Sequence, residues 1–400
     1  LFCLGCLYFY LNQASLLHGY VIRDHSLVER LMTQPGVVLF YIRQILLPDV
    51  GQMSLYIDDF GVARELGLKT VLSIAGIVLL GLVTLLARRS HPLISLGLGM
   101  FLLSHILEST FIPLEMVFEH RNYFGLWGIA LAVVSIVSLF LTRMRVQYRY
   151  LLVAVCLSIL SFQTYGRAVV WSDEFLHSAF AAESRPLSRR SQTAFAIALA
   201  KQGQIELAEK VIEHAEKNGM DPAYTALRLI SLKGMRNGVQ SEDIERALSA
   251  IPDQPLMIRH GSTLTDIRTN FLQGRFDRPD RADMLALFET LADHKQPRLK
   301  SLDRARLLGM YAELLRQDGQ LDQALRRINE AHRFYPDETE VMVLKAEIEH
   351  AAGAEVAFKE TMETIIGEAI ELNSGQYRRI KKLLSASTLA DVDAGADEVH

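Results

Sequence analysis

The chain has 400 residues, 50% of them hydrophobic and 22% charged, and its formal net charge is −4. That charge leaves no basic footprint for nucleic acid. The three cysteines, Cys3, Cys6 and Cys156, lie among apolar neighbours, which excludes a secreted domain held together by disulfides. Charged residues number 20 in residues 1–164 but 68 in residues 165–400, a division that one soluble domain does not show. We therefore predict an all-α chain with a membrane-embedded first part and a water-soluble second part.

Apolar runs in residues 1–164 predict a multi-pass transmembrane domain, because a spanning helix needs about 20 mostly apolar residues to satisfy its backbone inside hydrocarbon. The predicted spans are 70–87, 92–107, 124–141 and 150–163, with residues 1–11 as the remnant of a fifth. The chain opens on Leu1-Phe2-Cys3 without a basic leader, so we expect a start inside a hydrophobic segment rather than a signal peptide. Earlier spans would then be missing.

Two basic turns predict the orientation of these spans. One turn holds Arg88 and Arg89, and the other holds Arg143, Arg145 and Arg149. Positive charge marks the cytoplasmic side, and alternating helices place both turns on that side. The remaining loops and the soluble part then face the opposite side, which in a bacterium is the periplasmic side of the inner membrane.

The stretch 36–47 is too short to span and contains Arg43, so it predicts an interfacial or re-entrant helix. Arg30 and Arg43 would then lie at the level of the lipid headgroups.

A repeat of 34 residues governs the soluble part. In residues 305–338, Gly319 separates two amphipathic helices and Pro336 ends the unit, with Ala324 and Ala331 spaced for a close helix crossing. This is the tetratricopeptide pattern. A second copy lies at 189–222 and a weaker third at 339–372, so we predict a tetratricopeptide-repeat α-solenoid over 189–384. A linker at 165–188 precedes it, and an acidic, disordered tail at 385–400 follows.

The concave face of such a solenoid typically binds an extended peptide or another protein. The candidate partner-binding residues in this sequence are Tyr311, Arg326, Arg327, Arg333 and Tyr335. The alternative is that they form a solvated helix face.

The stretch 104–124, SHILESTFIPLEMVFEHRNYF, is the most distinctive motif of the chain. Together with 28–48, VERLMTQPGVVLFYIRQILLP, it resembles bacterial multi-pass membrane proteins with C-terminal tetratricopeptide repeats, relatives of the transmembrane-and-tetratricopeptide-repeat O-mannosyltransferases. The resemblance implies sugar transfer from a polyprenyl-phosphate carrier to a protein hydroxyl on the outer face. It also implies a key acidic residue in the first external loop, upstream of Leu1, so this chain would be the C-terminal part of the enzyme.

Charged residues of this motif are the candidate site. Glu108, Glu115 and Glu119 are the candidate catalytic carboxylates, which would orient an acceptor hydroxyl or hold a divalent cation. Arg121 and His120 would bind the lipid-linked phosphate, because a guanidinium matches phosphate oxygens. The alternative is a solvated loop in which Glu115 or Glu119 is paired with Arg121.

Other polar groups carry weaker signals. His105 and Glu108 have metal-ligand spacing without further ligands, so a hydrogen bond at the helix end is favoured over a metal site. Asp58-Asp59 would bind a cation or a sugar, or form a solvated turn, and Gly97 would allow close helix packing. The chain has no GxxxxGKS/T, HExxH or GxSxG motif, which argues against ATPase, zinc-protease and serine-hydrolase chemistry.

Two functions remain open from the sequence. The first is the glycosyltransferase, with no cofactor required except a divalent cation if a carboxylate holds one. The second is a non-catalytic, membrane-anchored repeat scaffold for protein partners of the cell envelope. Only the glycosyltransferase needs the charges of residues 104–124.

Overall fold

The computed structural model describes residues 19–23, 25–49, 51, 54–251, 261–276, 281–293, 301–367 and 372–386. These residues form helices and connecting segments, with no strand among them. The chain divides into two compact units, Leu1–Met220 and Asp221–His400. The predicted apolar segment 1–11, and all but the first two residues of the predicted tail 385–400, lie outside the described residues.

The described part of the first unit contains eight α-helices. They are α1 (Leu27–Leu46), α2 (Leu68–Ser90), α3 (Pro92–Glu108), α4 (Asn122–Leu141), α5 (Val146–Trp171), α6 (Glu174–Ser184), α7 (Arg189–Lys201) and α8 (Ile205–Lys217). The described part of the second unit contains nine more. They are α9 (Pro222–Gly234), α10 (Ser241–Ala250), α11 (Gly261–Leu272), α12 (Arg281–Asp293), α13 (Ser301–Gln317), α14 (Leu321–Phe334), α15 (Thr339–Ala351), α16 (Glu355–Gly367) and α17 (Ser374–Ala386).

Three helical segments of the described chain are long and apolar enough to cross a membrane: Leu68–Ser90, Glu119–Leu141 and Val146–Trp171. The apolar part of α3, Pro92–Ile106, is shorter than these. The sequence predicts four spans in this region, so α3 is the one that falls short in length. The predicted span 150–163 is the middle of α5, because arginines near both ends of that helix hide its full length in the sequence.

Glycines allow α3 and α4 to cross at backbone distance. A Cβ on Gly97 would lie 2.5 Å from the carbonyl oxygen of Gly128, and a Cβ on Gly128 would lie 2.5 Å from that of Gly97. Further along, the ring of His105 lies over Gly125, where a Cβ would meet its Cε1 at 2.8 Å. Since residue numbers rise along α3 as they fall along α4, the two helices run antiparallel. The packing role predicted for Gly97 is what the structure shows.

α1 begins at Leu27, whereas the sequence predicts a helix only over 36–47. Its start is a capping box: the Ser26 hydroxyl accepts from the amide of Glu29 at 3.2 Å, and the Glu29 carboxylate accepts from the amide of Ser26 at 2.8 Å. Pro35 lies inside the helix, where it removes one backbone hydrogen bond without ending the helix.

The predicted linker 165–188 is helical over most of its length, since it holds the end of α5 and all of α6. α6 packs against α7, and α7 packs against α8. The boundary between the compact units falls after Met220. The first predicted repeat, 189–222, therefore belongs largely to the first unit, together with the helices of spanning length.

In three helix pairs, the same kind of turn joins the first helix to the second. Gly203, Gly319 and Gly353 have φ values of +76°, +80° and +68°, which only glycine adopts at low cost. In the first of these turns the amide of Gln204 donates to the carbonyl oxygen of Leu199 at 2.9 Å, closing the helix end. These turns are where the repeat pattern predicts them.

In the second unit, helix pairs stack through their first helices. α9 packs on α11, α11 on α13, α13 on α15, and α15 on α17. α9, α13 and α15 each also pack on the helix that follows in the chain, which is α10, α14 and α16 respectively. The predicted crossing residues Ala324, Ile328, Ala331 and Ala346 are each 0% exposed. Small residues at these positions let the helices approach closely. The stack buries one core from α9 to α15 and a second cluster among α15, α16 and α17.

The α3–α4 crossing can be tested by placing a large side chain where the two backbones meet. Gly128→Leu should lower stability by about 1–3 kcal/mol or more, because the side chain would overlap the backbone of α3. Gly81→Leu, where a Cβ meets nothing within 4 Å, is the matched control and should change little. Thermal unfolding of the purified chain in detergent measures both, and equal effects would contradict the crossing.

The glycine turns allow a second test in the helix stack. Gly319→Ala should cost about 1 kcal/mol, because alanine is strained at φ +80°. Gly309→Ala, inside α13 with only ordinary contacts near the new Cβ, should instead stabilise by roughly 0.5–1 kcal/mol. Urea unfolding followed by circular dichroism would reveal the opposite signs, and shifts of the same sign would contradict this account of the turn.

Candidate functional site

Arg30 of α1 holds the loop 108–121, which follows α3 and is called the 108–121 loop below. Its guanidinium donates to the carbonyl oxygens of Glu108 at 2.6 Å, Thr110 at 3.0 Å, Leu114 at 2.7 Å and Glu115 at 3.4 Å. The side chain is 0% exposed, and this burial lowers the pKa of Arg30 to about 10, so it stays charged at neutral pH. The sequence places Arg30 at headgroup level, but the structure buries it beneath the loop.

Two further residues on the same side of α1 continue this contact. The Gln34 amide donates to the carbonyl oxygen of Met116 at 3.1 Å. The Tyr41 hydroxyl accepts from the amide of Phe118 at 2.9 Å and donates to its carbonyl oxygen at 3.0 Å. Because these residues follow Arg30 by one and three helical turns, one stripe of α1 bonds backbone groups along the loop from Glu108 to Phe118.

Glu115 is a bridge between three segments. Its carboxylate lies 2.7 Å from Arg23 and 3.8 Å from Arg190, the second residue of α7. Arg23 also donates to the carbonyl oxygen of Pro113 at 2.8 Å, and the Arg190 guanidinium stacks 4.3 Å from the ring of Tyr56. The predicted alternative, a pair between the Glu115 carboxylate and Arg121, is therefore not the arrangement found.

Glu119 and Glu108 each have an arginine partner of their own. Glu119 pairs with Arg167 near the end of α5 at 3.3 Å, and Glu108 pairs with Arg121 at 3.5 Å. The side chain of Glu108 is 41% exposed and that of Glu119 is 23% exposed. Of the three predicted catalytic carboxylates, Glu108 is thus the most accessible.

Arg121 bonds to other residues of the 108–121 loop. Its side chain is 7% exposed, and it donates to the carbonyl oxygen of Glu115 at 2.6 Å while pairing with Glu108. A lipid phosphate would have to displace both partners, so this placement does not fit the predicted phosphate contact. His120 is exposed, with its ring 4.8 Å from that of Phe118, and it remains available for such a contact.

His105 has the helix-end hydrogen bond that the sequence favours over a metal site. Its Nδ1 lies 2.9 Å from the carbonyl oxygen of Phe101, and since a carbonyl only accepts, Nδ1 carries the proton. Within the described ranges, no group of three or more His, Cys, Asp or Glu is placed to hold a metal ion. A divalent cation therefore stays a prediction, without a ligand set in the described part of the chain.

Asp58 and Asp59 contact residues at the end of α6 and the start of α7, in the same unit. Asp58 accepts from the hydroxyl of Ser188, the N-cap of α7, and from the amide of Arg190 at 3.4 Å. Asp59 pairs with Arg185 at 3.5 Å, and its side chain is 16% exposed. The predicted solvated turn is instead a joint between the segment 54–67 and α7.

The predicted partner-binding residues of the second unit separate into two groups. Tyr311 is 3% exposed in the core, and Arg327 forms a two-point pair with Asp293 at 2.7 and 2.8 Å above the Tyr311 ring. Tyr311 therefore belongs to the core, and the Arg327 guanidinium is already paired with a carboxylate. Tyr335 packs partly buried against the same core, whereas Arg326 and Arg333 are exposed.

Ion pairs also link successive helix pairs of the second unit. Arg268 pairs with Glu313 at 2.6 Å, and Arg379 pairs with Glu347 at 2.7 Å. These partly buried pairs join α11 to α13 and α15 to α17. An open pocket of about 330 Å³ remains near Phe271, bounded by α11, α12 and α13.

Sequence reasoning missed the arginines that organise the site. Arg23, Arg167 and Arg190 come from segments far apart in the chain, so no local spacing predicts their carboxylate partners. The buried acceptors of Arg30 could have been predicted from the sequence. Burying an arginine on the apolar stripe of a helix costs free energy unless acceptors are buried beside it. Tyr41, which is 0% exposed, lay on the same stripe.

Removing Arg30 tests its hold on the loop. Arg30→Met should cost about 3 kcal/mol or more, because the buried carbonyl oxygens of the 108–121 loop lose their donor. The matched control is Arg64→Met: Arg64 is 38% exposed in a single pair with Glu29, and its loss should cost less than about 1 kcal/mol. Melting in detergent and protease cleavage within the loop report both, and similar losses would contradict the role of Arg30.

No protein-family model matches this chain, and no curated protein matches it. The roles of the residues therefore rest on their geometry and on the resemblance of the 104–124 motif.

Proposed function

We propose that this chain is the membrane-embedded and repeat-bearing part of a protein glycosyltransferase, which moves a sugar from a polyprenyl-phosphate carrier to a protein hydroxyl. The observation that supports this most is the fully buried Arg30, which fixes the 108–121 loop beside the apolar helices. An ionisable residue buried beside membrane spans is costly, and such residues usually mark a functional site. The 104–124 motif, which resembles the O-mannosyltransferase family, is the same loop.

The accessible groups of this loop suggest the roles. Glu108 would orient the acceptor hydroxyl or accept its proton, because Arg121 holds the carboxylate on one side and 41% of the side chain stays exposed. His120 would contact the phosphate of the carrier, in place of the buried Arg121. Glu115 and Glu119 would serve as structural bridges, since each is already paired with an arginine.

The helix pairs of the second unit would form a tetratricopeptide-repeat solenoid that binds the acceptor or a partner protein. Support comes from the glycine turns with positive φ, the fully buried alanines at the helix crossings, and the stacking of first helices. Arg326 and Arg333 would supply exposed charge to the partner. The basic turns favour a bacterial inner membrane with this unit on the periplasmic side.

A non-catalytic membrane scaffold is the second candidate. It is favoured by the pairing of Glu115, Glu119 and Asp59 with arginines, because a scaffold needs these charges only to join its segments.

Sugar transfer distinguishes the two functions. Membranes containing the chain as part of its full-length parent protein would be given radiolabelled polyprenyl-phosphate mannose, and label in protein would be measured. Glu108→Gln should lower transfer at least about 100-fold, the usual effect of losing a general base. The matched control is Glu174→Gln, whose carboxylate is 78% exposed on α6 and pairs only with Lys201, and it should leave transfer unchanged. Absence of transfer by the unaltered chain, or equal transfer by both variants, would favour the scaffold.

A further inference from the structure

The two basic turns lie at one end of the membrane helices. α3 runs antiparallel to α2, with the Ser95 hydroxyl donating to the carbonyl oxygen of Thr84 at 2.7 Å, and antiparallel to α4 through the Gly97–Gly128 crossing. The α2–α3 turn and the α4–α5 turn therefore meet at the end opposite the 108–121 loop. We call this end, with the segments 88–91 and 142–149, the basic end.

The arginines of the basic end have no acidic counterpart. Arg88, Arg89, Arg143 and Arg145 are exposed, and none forms an ion pair with any residue that the structure describes. The sequence itself explains this, because it has no Asp or Glu between residues 66 and 107 or between residues 120 and 172. The arginines at the other end of the same helices, by contrast, are paired with glutamates of the 108–121 loop.

Arg149 gives the second of these turns a fixed shape. It donates to the carbonyl oxygen of Thr142 at 3.0 Å through Nη2 and to that of Met144 at 3.0 Å through Nε. These bonds satisfy carbonyl groups at the end of α4, where the helix leaves them without amide partners. With the backbone held in this way, Arg143 and Arg145 stay exposed on one short turn.

We propose that the basic end binds the phosphate headgroups of anionic phospholipids such as phosphatidylglycerol. A guanidinium binds a phosphate diester through paired hydrogen bonds, and basic residues beside spanning helices are attracted to anionic lipid. The helices on which these arginines stand are apolar enough to cross a membrane, so the headgroup layer is the anionic surface within their reach. This site is at the opposite end from the proposed sugar-transfer site and does not depend on it.

Lipid binding can be counted by mass spectrometry of the whole chain released from neutral detergent. Micelles would be titrated with phosphatidylglycerol, with phosphatidylcholine, and with inorganic phosphate at equal concentration. We expect phosphatidylglycerol to bind at least about ten-fold more tightly than phosphatidylcholine, since each surface arginine contributes roughly a five-fold preference. Inorganic phosphate should not compete at these concentrations.

The double variants R88Q/R89Q and R143Q/R145Q should each weaken this preference at least about five-fold, while R88K/R89K/R143K/R145K should largely keep it. The matched control is R275Q/R378Q, which removes two exposed arginines from the second unit and should leave lipid binding unchanged. Circular dichroism confirms that each variant is helical before it is titrated. Equal binding of the two lipids, an equal loss in the control, or competition by inorganic phosphate would overturn the proposal.

Discussion

A single buried arginine sets the arrangement of the first unit, which holds the three helices of spanning length. Arg30 is removed from water on α1. Within the described residues, its hydrogen-bond acceptors are carbonyl oxygens of a loop 78 to 85 residues later in the chain. A buried charge without such partners would cost several kcal/mol, so α1 and the 108–121 loop have to be formed together. The positions of Glu108, Glu115 and Glu119 follow from this contact, because they are carried by the same loop.

Polar contacts around the loop also fix the positions of α6 and α7 in the same unit. Arg190 reaches Glu115, and Asp58 and Asp59 reach the start of α7 and the residue that follows α6. A single ion pair near the surface contributes little to stability. Several pairs that share partners together fix the relative position of the segments that they join. The first helix pair of the repeat pattern, α7 and α8, is thereby fixed to the rest of the first unit, which ends only after Met220.

Local signals predicted much of the fold. Uninterrupted apolar runs gave the three helices of spanning length, and Gly319 with Ala324 and Ala331 gave a helix pair at its observed place. Boundaries were harder, because Pro35 looked like a helix start and Arg149 looked like an end. Neither residue breaks its helix: α1 begins at a capping box upstream of Pro35, and Arg149 turns back onto the preceding carbonyl oxygens. The motif 104–124 located the candidate site, but the pairing of its charges depends on residues brought together by tertiary structure. Tyr311 shows the same limit, since helical spacing alone does not distinguish a groove from a core.

Amide hydrogen exchange across the 108–121 loop of the reconstituted chain tests the central claim most directly. The claim is that α1 holds this loop as firmly as the helices beside it. The amide of Phe118, bonded to the Tyr41 hydroxyl, and the amide of Arg121, bonded to the carbonyl oxygen of Phe118, should exchange as slowly as amides in the middle of α1. Exchange of these amides at the rate of an exposed turn would contradict the account.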